Sequence, residues 1–434
     1  MGNMSNFMRE WQMQIQSYSR NIRLFFVFNM LWNVGLGMYS LVYNLYVKAL
    51  GYEPTMVGQI VGMTALASAL ILIPAGLAND RFGPKRMISI GAAAVVAALI
   101  LRAWLPGAGG LTGSAFAGGI AQAIVSATIL PFMANNSTAR QRIHLFSFNM
   151  ALVMAANVVG NLAGGFITDL LQHTGVGEVL SLRLTLLIGT AIAGAGLIPV
   201  LLFGEEEQGT SIPQEEVPQP PSPVKGVRLK AAMKEHRSSL YAIGAFTLLS
   251  LLSAMAGGMV VPYLNVYFED RFEASKSVIG LVVALGQGAT AVAYLLGPAI
   301  ARRMGEVKAV VWLQLSSIPF LVLTAYTHQF WLAGAGYLFR QALMNAANPF
   351  YNTIKMKYVH RSLRGLAASS GEAMFNLGWF IAAPISTGLV AKYGPYQGYA
   401  WAFSVTAVIY TLIAVMFWYL FSKDRFKPAE EAEA

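Results

Sequence analysis

The 434-residue sequence contains no cysteine. Disulfides, thiolate metal sites and cysteine nucleophiles are therefore excluded, and the redox setting of the protein cannot be read from it. Charge is scarce: Asp, Glu, Lys and Arg make up 12% of the residues, against about 25% in soluble domains. Acids are the rarer sign, 20 against 30 Lys and Arg. The five histidines, His144, His173, His236, His328 and His360, are scattered without ligand spacing, so no metal site is expected. P-loop, Ser-His-Asp and paired-carboxylate patterns are all missing, which argues against an enzyme and leaves no cofactor to expect. No cleavable signal is apparent either, because residues 1–23 are polar and the first apolar run is long enough to span a bilayer.

What the chain does have is apolar length. Hydrophobic residues make up 56%, and the mean hydropathy is +0.54. Runs of the roughly 20 apolar residues that a span needs fall at 24–47, 55–78, 87–105, 113–134, 144–169, 182–203, 240–268, 278–301, 308–327, 330–353, 365–391 and 399–421. The net charge of +10 would point a soluble protein towards nucleic acid. Here the basic residues cap the apolar runs instead, and 23 of the 30 fall on one side if the N-terminus is placed inside. The rule that cytoplasmic loops are basic then puts both termini in the cytoplasm. Residues 204–239 open with Glu205-Glu206-Glu207, pass through Pro213, Pro218, Pro220, Pro221 and Pro223 and turn basic from Lys225; such a segment cannot bury a core and reads as a linker. The expected fold is an all-α membrane protein with twelve transmembrane helices in two pseudo-symmetric six-helix bundles. Its parts are a cytoplasmic segment 1–23, bundles 24–203 and 240–421, the linker 204–239 and a tail 422–434.

The halves repeat each other. Asn44-Leu45-Tyr46 returns as Asn265-Val266-Tyr267, Gln122-Ala123 as Gln341-Ala342, and Pro131-Phe132 as Pro349-Phe350; Gly58 answers to Gly280, and Gly76 with Arg81 to Gly297 with Arg302. Between the second and third runs lies Gly76-Leu77-Ala78-Asn79-Asp80-Arg81-Phe82-Gly83-Pro84-Lys85-Arg86. The pattern G-x-x-x-D-R-x-G-x-K at Gly76, Asp80, Arg81, Gly83 and Lys85 resembles the loop signature of the major facilitator superfamily of secondary transporters. Ala78, Asn79 and Pro84 depart from it. The resemblance implies a cytoplasmic gating loop in which Asp80 and Arg81 form a charge latch steadying one of two alternating states. It also implies a parallel repeat of six spans. A second stretch, Gly160-Asn161-Leu162-Ala163-Gly164-Gly165, is similar to the fifth-helix signature of the drug:proton antiporters, with Asn161 for proline and Ala156 for a preceding glycine. The fourth span also lacks the antiporters' arginine. A pair such as Gly160/Gly164 equally serves close helix packing.

Polar residues inside spans mark a transport path. At 100° per residue, Asn29, Asn33, Gly37, Ser40 and Asn44 share one arc of the first helix, either as a cavity wall or as a packing seam. Arg340 lies about ten residues, roughly 15 Å, down the tenth helix. Tyr337, Gln341, Met344 and Asn348 lie on the same side as Arg340. A charged fork at that depth suits a carboxylate or phosphate, unless helix carbonyls or a glutamate satisfy it. Glu372 is the one acid deep in a span and is the candidate proton-coupling group, with Arg340 as a conceivable partner. The candidate substrate-binding residues are thus Asn29, Asn33, Asn44, Gln122, Tyr337, Arg340, Gln341 and Asn348. The expected function is secondary active transport of a small organic solute by alternating access, with proton-coupled export of organic or amphipathic compounds first. Import of an anionic metabolite through Arg340 is the alternative, and a ligand-binding, non-transporting membrane sensor is a third reading. Expected partners are the substrate, the lipid bilayer and a proton, with no nucleic acid. The chain is expected to be a monomer, multi-pass in a bacterial plasma membrane.

Overall fold

The computed structural model describes residues 18–204, 237–360 and 363–422. Among them the backbone is helical throughout, with no strand. The N-terminal half holds α1 (Arg20–Ala49), α2 (Pro54–Phe82), α3 (Pro84–Trp104), α4 (Ala108–Asn135), α5 (Ala139–His173), α6 (Glu178–Ala195) and a short continuation, α7 (Leu197–Leu201). The C-terminal half holds α8 (Arg237–Gly258), α9 (Leu264–Phe272), α10 (Lys276–Met304), α11 (Glu306–Tyr326), α12 (Phe330–Ala346), α13 (Asn348–Tyr358) and α14 (Arg364–Phe421). Most of the expected linker, N-terminal segment and tail lie outside the described residues.

Ten of these helices are long and apolar enough to cross a membrane. One of the ten, α14, is two helices in a single run: Gly394 interrupts it at φ 78°, and Pro395 starts the second piece. The remaining span is made by α12 and α13 together. They part at Ala347 because Pro349 has no N–H to offer the Asn345 carbonyl, and α12 alone, at 17 residues, falls short of a crossing. These two breaks reconcile ten helices with the twelve runs in the sequence. A third break divides the seventh span. There α8 stops at Gly258, a 3-10 turn covers Val261–Tyr263, and α9 follows. Pro262 cannot donate to the Gly258 carbonyl, and Gly257-Gly258 lowers the cost of distorting the backbone there.

Within the N-terminal half α1 packs against α5 and α6, and α4 against α2 and α3; in the C-terminal half α8 packs against α14, and α12 against α10 and α11. The halves meet along α2 with α14 and α5 with α10. The repeat seen in the sequence is physical. Positive-φ residues pair across the halves at Gly51 and Glu273, Gly83 and Gly305, and Gly175 and Gly394, so equivalent helix ends turn in the same way. The Tyr46 hydroxyl donates to Ala103 O, 57 residues on, and the Tyr267 hydroxyl donates to Thr324 O at the same separation. Aromatic cores match as well: Phe25 packs on Phe132 (5.3 Å) and Phe132 on Phe203 (4.7 Å), as Phe246 packs on Phe421 (4.7 Å). Large apolar side chains that stay exposed, among them Leu70, Ile90, Met150, Trp331 and Val415, form the outer surface that a bilayer would cover.

Candidate functional site

The most ordered polar feature lies where the halves touch, at the end of the molecule where α1 stops. Asn44 donates through Nδ2 to Pro262 O (2.6 Å), and Asn265 donates through Nδ2 to Leu41 O (2.6 Å). The two amides also meet, Asn44 Nδ2 to Asn265 Oδ1, at 3.3 Å. Each asparagine thus satisfies the main chain of the other half, in a clasp that obeys the internal two-fold. The Pro262 carbonyl is available because the helix is broken at that turn.

Around the clasp runs a band of charge. Lys48 reaches Glu269 (2.7 Å) and Asp270 (2.5 Å), while Lys276 reaches Glu178 (2.9 Å) and Glu269 (3.2 Å). The Tyr399 hydroxyl donates to Asp270 at 3.0 Å. Asp169 accepts from the backbone N–H groups of Lys276 (3.1 Å) and Ser277 (2.8 Å), which caps the first turn of α10 from the opposite half. Only Lys276–Glu269 has both side chains shielded, at 13% and 14% exposure; Lys48 (41%) and Glu178 (53%) leave the other pairs open to solvent screening.

The asparagines of α1 divide between two jobs. Asn29 donates to Asn149 Oδ1 (2.5 Å), Asn33 to Asn29 O and Oδ1 (2.7 Å each), and Asn157 to Asn33 Oδ1 (3.4 Å). They form an amide ladder between α1 and α5 in which Asn29 and Asn149 are buried while Asn33 and Asn157 are half-exposed. Asn44, on the same arc, belongs to the clasp instead. Gln122 is half-buried on α4. Asn149 and Asn157 did not stand out in the sequence, although their eight-residue spacing puts them on one face of α5.

On α12, Arg340 is 4% exposed. Its Nη1 donates to Gln341 Oε1 (3.0 Å) and its Nη2 to the Tyr410 hydroxyl (2.9 Å), and its Nε, also buried, has no partner. Tyr337 is buried beside Gly286 of α10, Asn345 donates to Thr290 (3.1 Å), Gln341 is half-buried and Asn348 is exposed. Among the described residues no carboxylate pairs with Arg340. Glu372 is exposed on α14, and its carboxylate acts electrostatically on the Lys355 ammonium of α13. The Lys355 Nζ and the Ser250 hydroxyl both lie beside Gly371, and one residue before it in sequence the Ser370 hydroxyl sits 3.1 Å from that of Thr247. In the sequence Lys355 read as one more basic cap.

Comparison with known proteins follows this geometry. The Major Facilitator Superfamily model matches residues 24–251 and again 246–434. The chain belongs to the major facilitator superfamily. Among solved structures of similar fold are a bacterial homolog of the human lysosomal transporter Spinster in an inward-facing, unoccupied conformation (16% identity, 94% of this chain and 98% of that one, TM-score 0.75) and a D-xylose–proton symporter (15%, 94% and 98%, 0.72). A POT family transporter in complex with 5-aminolevulinic acid is a third (15%, 94% and 100%, 0.69). No curated protein sequence matches the chain. The superfamily is one of membrane transporters, and with it the fold marks this protein as a transporter and not an enzyme.

The superfamily's loop signature takes an unexpected form here. α2 runs on to Phe82, so Gly83 (φ 80°) is the one non-helical residue before α3. Gly83 has the left-handed backbone that permits this turn, and Pro84 suits the first position of the next helix. The Lys85 ammonium donates to Phe203 O, tying α3 to the end of the same half. Arg81 is exposed with its guanidinium over the Phe82 ring (5.5 Å), and Gly76 has open space around it. The Asp80 side chain lies outside the described residues. Gly160 and Gly164, from the antiporter-like stretch, lie against the α1 backbone at Val34 and Met38, and Gly165 against Lys276 of α10.

Proposed function

We propose that this protein is a secondary transporter that moves a small organic solute by alternating access, and that the described state is closed at the Lys48 end. The observation that carries this reading is the clustering, at that end, of the polar links between the halves: the asparagine clasp, the Lys48 and Lys276 ion pairs and the Asp169 cap. Among the described residues the polar contacts at the Gly83 end, such as Lys85 to Phe203, stay within one half. With the basic segments in the cytoplasm, this is an inward-facing state, like that of the Spinster homolog. Asn44 then serves the outer gate, while Asn33, Gln122, Gln341 and Asn348 remain the candidates for contact with solute. Asn29 and Tyr337, both buried, hold the helices that carry them.

Proton coupling is assigned to Glu372, with Lys355 rather than Arg340 as its charged neighbour. Protonation of Glu372 removes the field that Lys355 feels and lets α13 and α14 move relative to one another. The likeness of Gly160 and Gly164 to the antiporter signature supports export less than the sequence implied, because both glycines are used in packing against α1. Uptake into proteoliposomes tests the reading and separates it from a sensor, which binds without flux. Glu372→Gln is expected to keep solute exchange while losing acceleration by an imposed pH gradient. An unchanged pH dependence would remove Glu372 from the coupling role.

A further inference from the structure

Among the described residues four arginines, Arg102, Arg183, Arg271 and Arg340, are set into the apolar helices, and they are satisfied in different ways; Arg183, half-exposed, donates through Nε and Nη2 to the Tyr46 hydroxyl (3.3 and 3.2 Å). Arg102 gives its donors to Ser114 O (3.4 Å), Ala115 O (3.0 Å) and Thr64 Oγ1 (3.3 Å). Arg271 gives its donors to Ala325 O (3.0 Å) and Thr327 O (2.8 Å). These are charges neutralised by main-chain dipoles, and their role is structural. Arg340 has no such carbonyl. Its contacts are a neighbouring amide and a tyrosine hydroxyl, with the Tyr410 ring centroid 5.5 Å from Cζ, and its Nε is buried and unpartnered. A guanidinium cannot shed its proton, and an uncompensated buried charge is costly.

The internal repeat supplies a control. Gln122 matches Gln341, which puts Ala121 where Arg340 stands; the burial patterns of the two last spans coincide when Ala193, buried against Gly35, is set where Tyr410 stands. The N-terminal half therefore builds the same helix packing with two methyl groups, and the scaffold does not require the Arg340–Tyr410 pair. Beside the Tyr410 hydroxyl lies Gly257, 3.7 Å from where its Cβ would be, at the start of the α8–α9 break. The equivalent stretch of α1 is unbroken. Three departures from the two-fold thus meet at one point. Down α12 and α13, Gln341, Asn345 and Asn348 pass from half-buried to exposed, a polar track from the guanidinium towards the Gly83 end.

Building on the transport reading above, we infer that Arg340, Gln341 and Tyr410 form the anion-binding subsite of the cargo, and that the cargo carries a carboxylate or phosphate group. The anion supplies the missing counter-charge, accepting from Nη1 or Nη2 and from Nε in place of the neutral acceptors. Tyr410, released from accepting, turns its hydroxyl proton to the anion.

The test is thermal unfolding and equilibrium binding of the purified full chain with benzoate, succinate and glucose 6-phosphate, alongside neutral glucose and tetraphenylphosphonium. The wild type is expected to be stabilised by at least one anion, with the carboxylates and the phosphate ester distinguishing the two oxyacids. Arg340→Gln should weaken that binding roughly 10- to 100-fold, the value of charge-assisted hydrogen bonds, and Tyr410→Phe about two- to tenfold. Arg340→Lys should restore part of the loss. The ligand-free unfolding midpoint reports whether Arg340→Gln folds; if it does not, Arg340→Lys and Tyr410→Phe carry the test. The inference is overturned if no anion of the set stabilises the wild type, or if the anions bind the variants as tightly. Proteoliposome flux separates the two claims. An anion bound through Arg340 but not moved keeps the subsite and ends the transport reading. Flux of glucose or of the cation, indifferent to Arg340→Gln, keeps transport and ends the subsite.

Discussion

Asn44 and Asn265 show how much one side chain can decide at an interface. A primary amide donates twice and accepts twice, so each can hold the other half's carbonyl while still meeting its mate. Replacing Asn44 with Ala strands the Pro262 carbonyl at a cost of about 1–3 kcal/mol. Asn265→Ala should cost the same, and the double variant should cost less than the two together, since both acceptors belong to one clasp. Unfolding midpoints of the four proteins in detergent give the coupling; strict additivity would mean that the asparagines act independently. The sequence put Asn29, Asn33 and Asn44 on one arc of α1, and that much was correct geometry. Periodicity reports a face, however, and not what the face meets. The arc meets α5 along part of its length and the opposite half at its end.

Helices are where the sequence was read most closely, because twenty apolar residues between basic caps leave little freedom. The breaks were not legible as lengths, although Pro262, Pro349 and Pro395 cause or adjoin them. Glycines separate the two kinds of information further. A methyl group at Gly160 would lie 2.3 Å from Val34 O and would force α1 and α5 apart, whereas one at Gly76 would meet nothing within 4 Å. Gly160→Ala should therefore destabilise by about 1–3 kcal/mol, and Gly76→Ala, mid-helix and unhindered, should stabilise by roughly 0.5–1 kcal/mol. Gly83→Ala should cost about 1–3 kcal/mol because φ is 80° there. Thermal unfolding of the three variants checks the signs, and the contrast between Gly76 and Gly83, seven residues apart in one motif, is the sharper result.

For the whole molecule the question is which end is shut. Asp169 holds two backbone N–H groups of α10 across the halves, and charge-assisted bonds of this kind are worth about 1.5–3 kcal/mol each. Asp169→Ala should move the population towards the state open at the Lys48 end by roughly tenfold or more. The absence of native cysteine makes the measurement clean. A single cysteine at Ser40, exposed in the closed state, serves as the reference, and one at buried Val266, whose side chain takes no part in the clasp, should gain thiol reactivity in the variant. High salt should act in the same direction but weakly, since Lys48 is half-exposed and its partners are not. Unaltered reactivity at position 266 would show that the cap does not control the gate.

Composition, apolar run length and the spacing of like residues in the two halves were enough for a twelve-span, two-bundle membrane protein, because those properties follow from how each stretch meets lipid or water; the major facilitator type came from the resemblance carried by Gly76, Asp80, Arg81, Gly83 and Lys85. Which polar residue faces which was settled by tertiary structure, since partners such as Arg340 and Tyr410, Glu372 and Lys355, or Asn44 and Asn265 lie on different helices far apart in sequence. Glu372 was a conceivable partner for Arg340 only across a depth difference of roughly 9 Å on ideal helices; Arg340 instead donates to Gln341 and Tyr410, and Glu372 is exposed. Depth in the bilayer is a property of position along one helix; contact depends on the rotation of both.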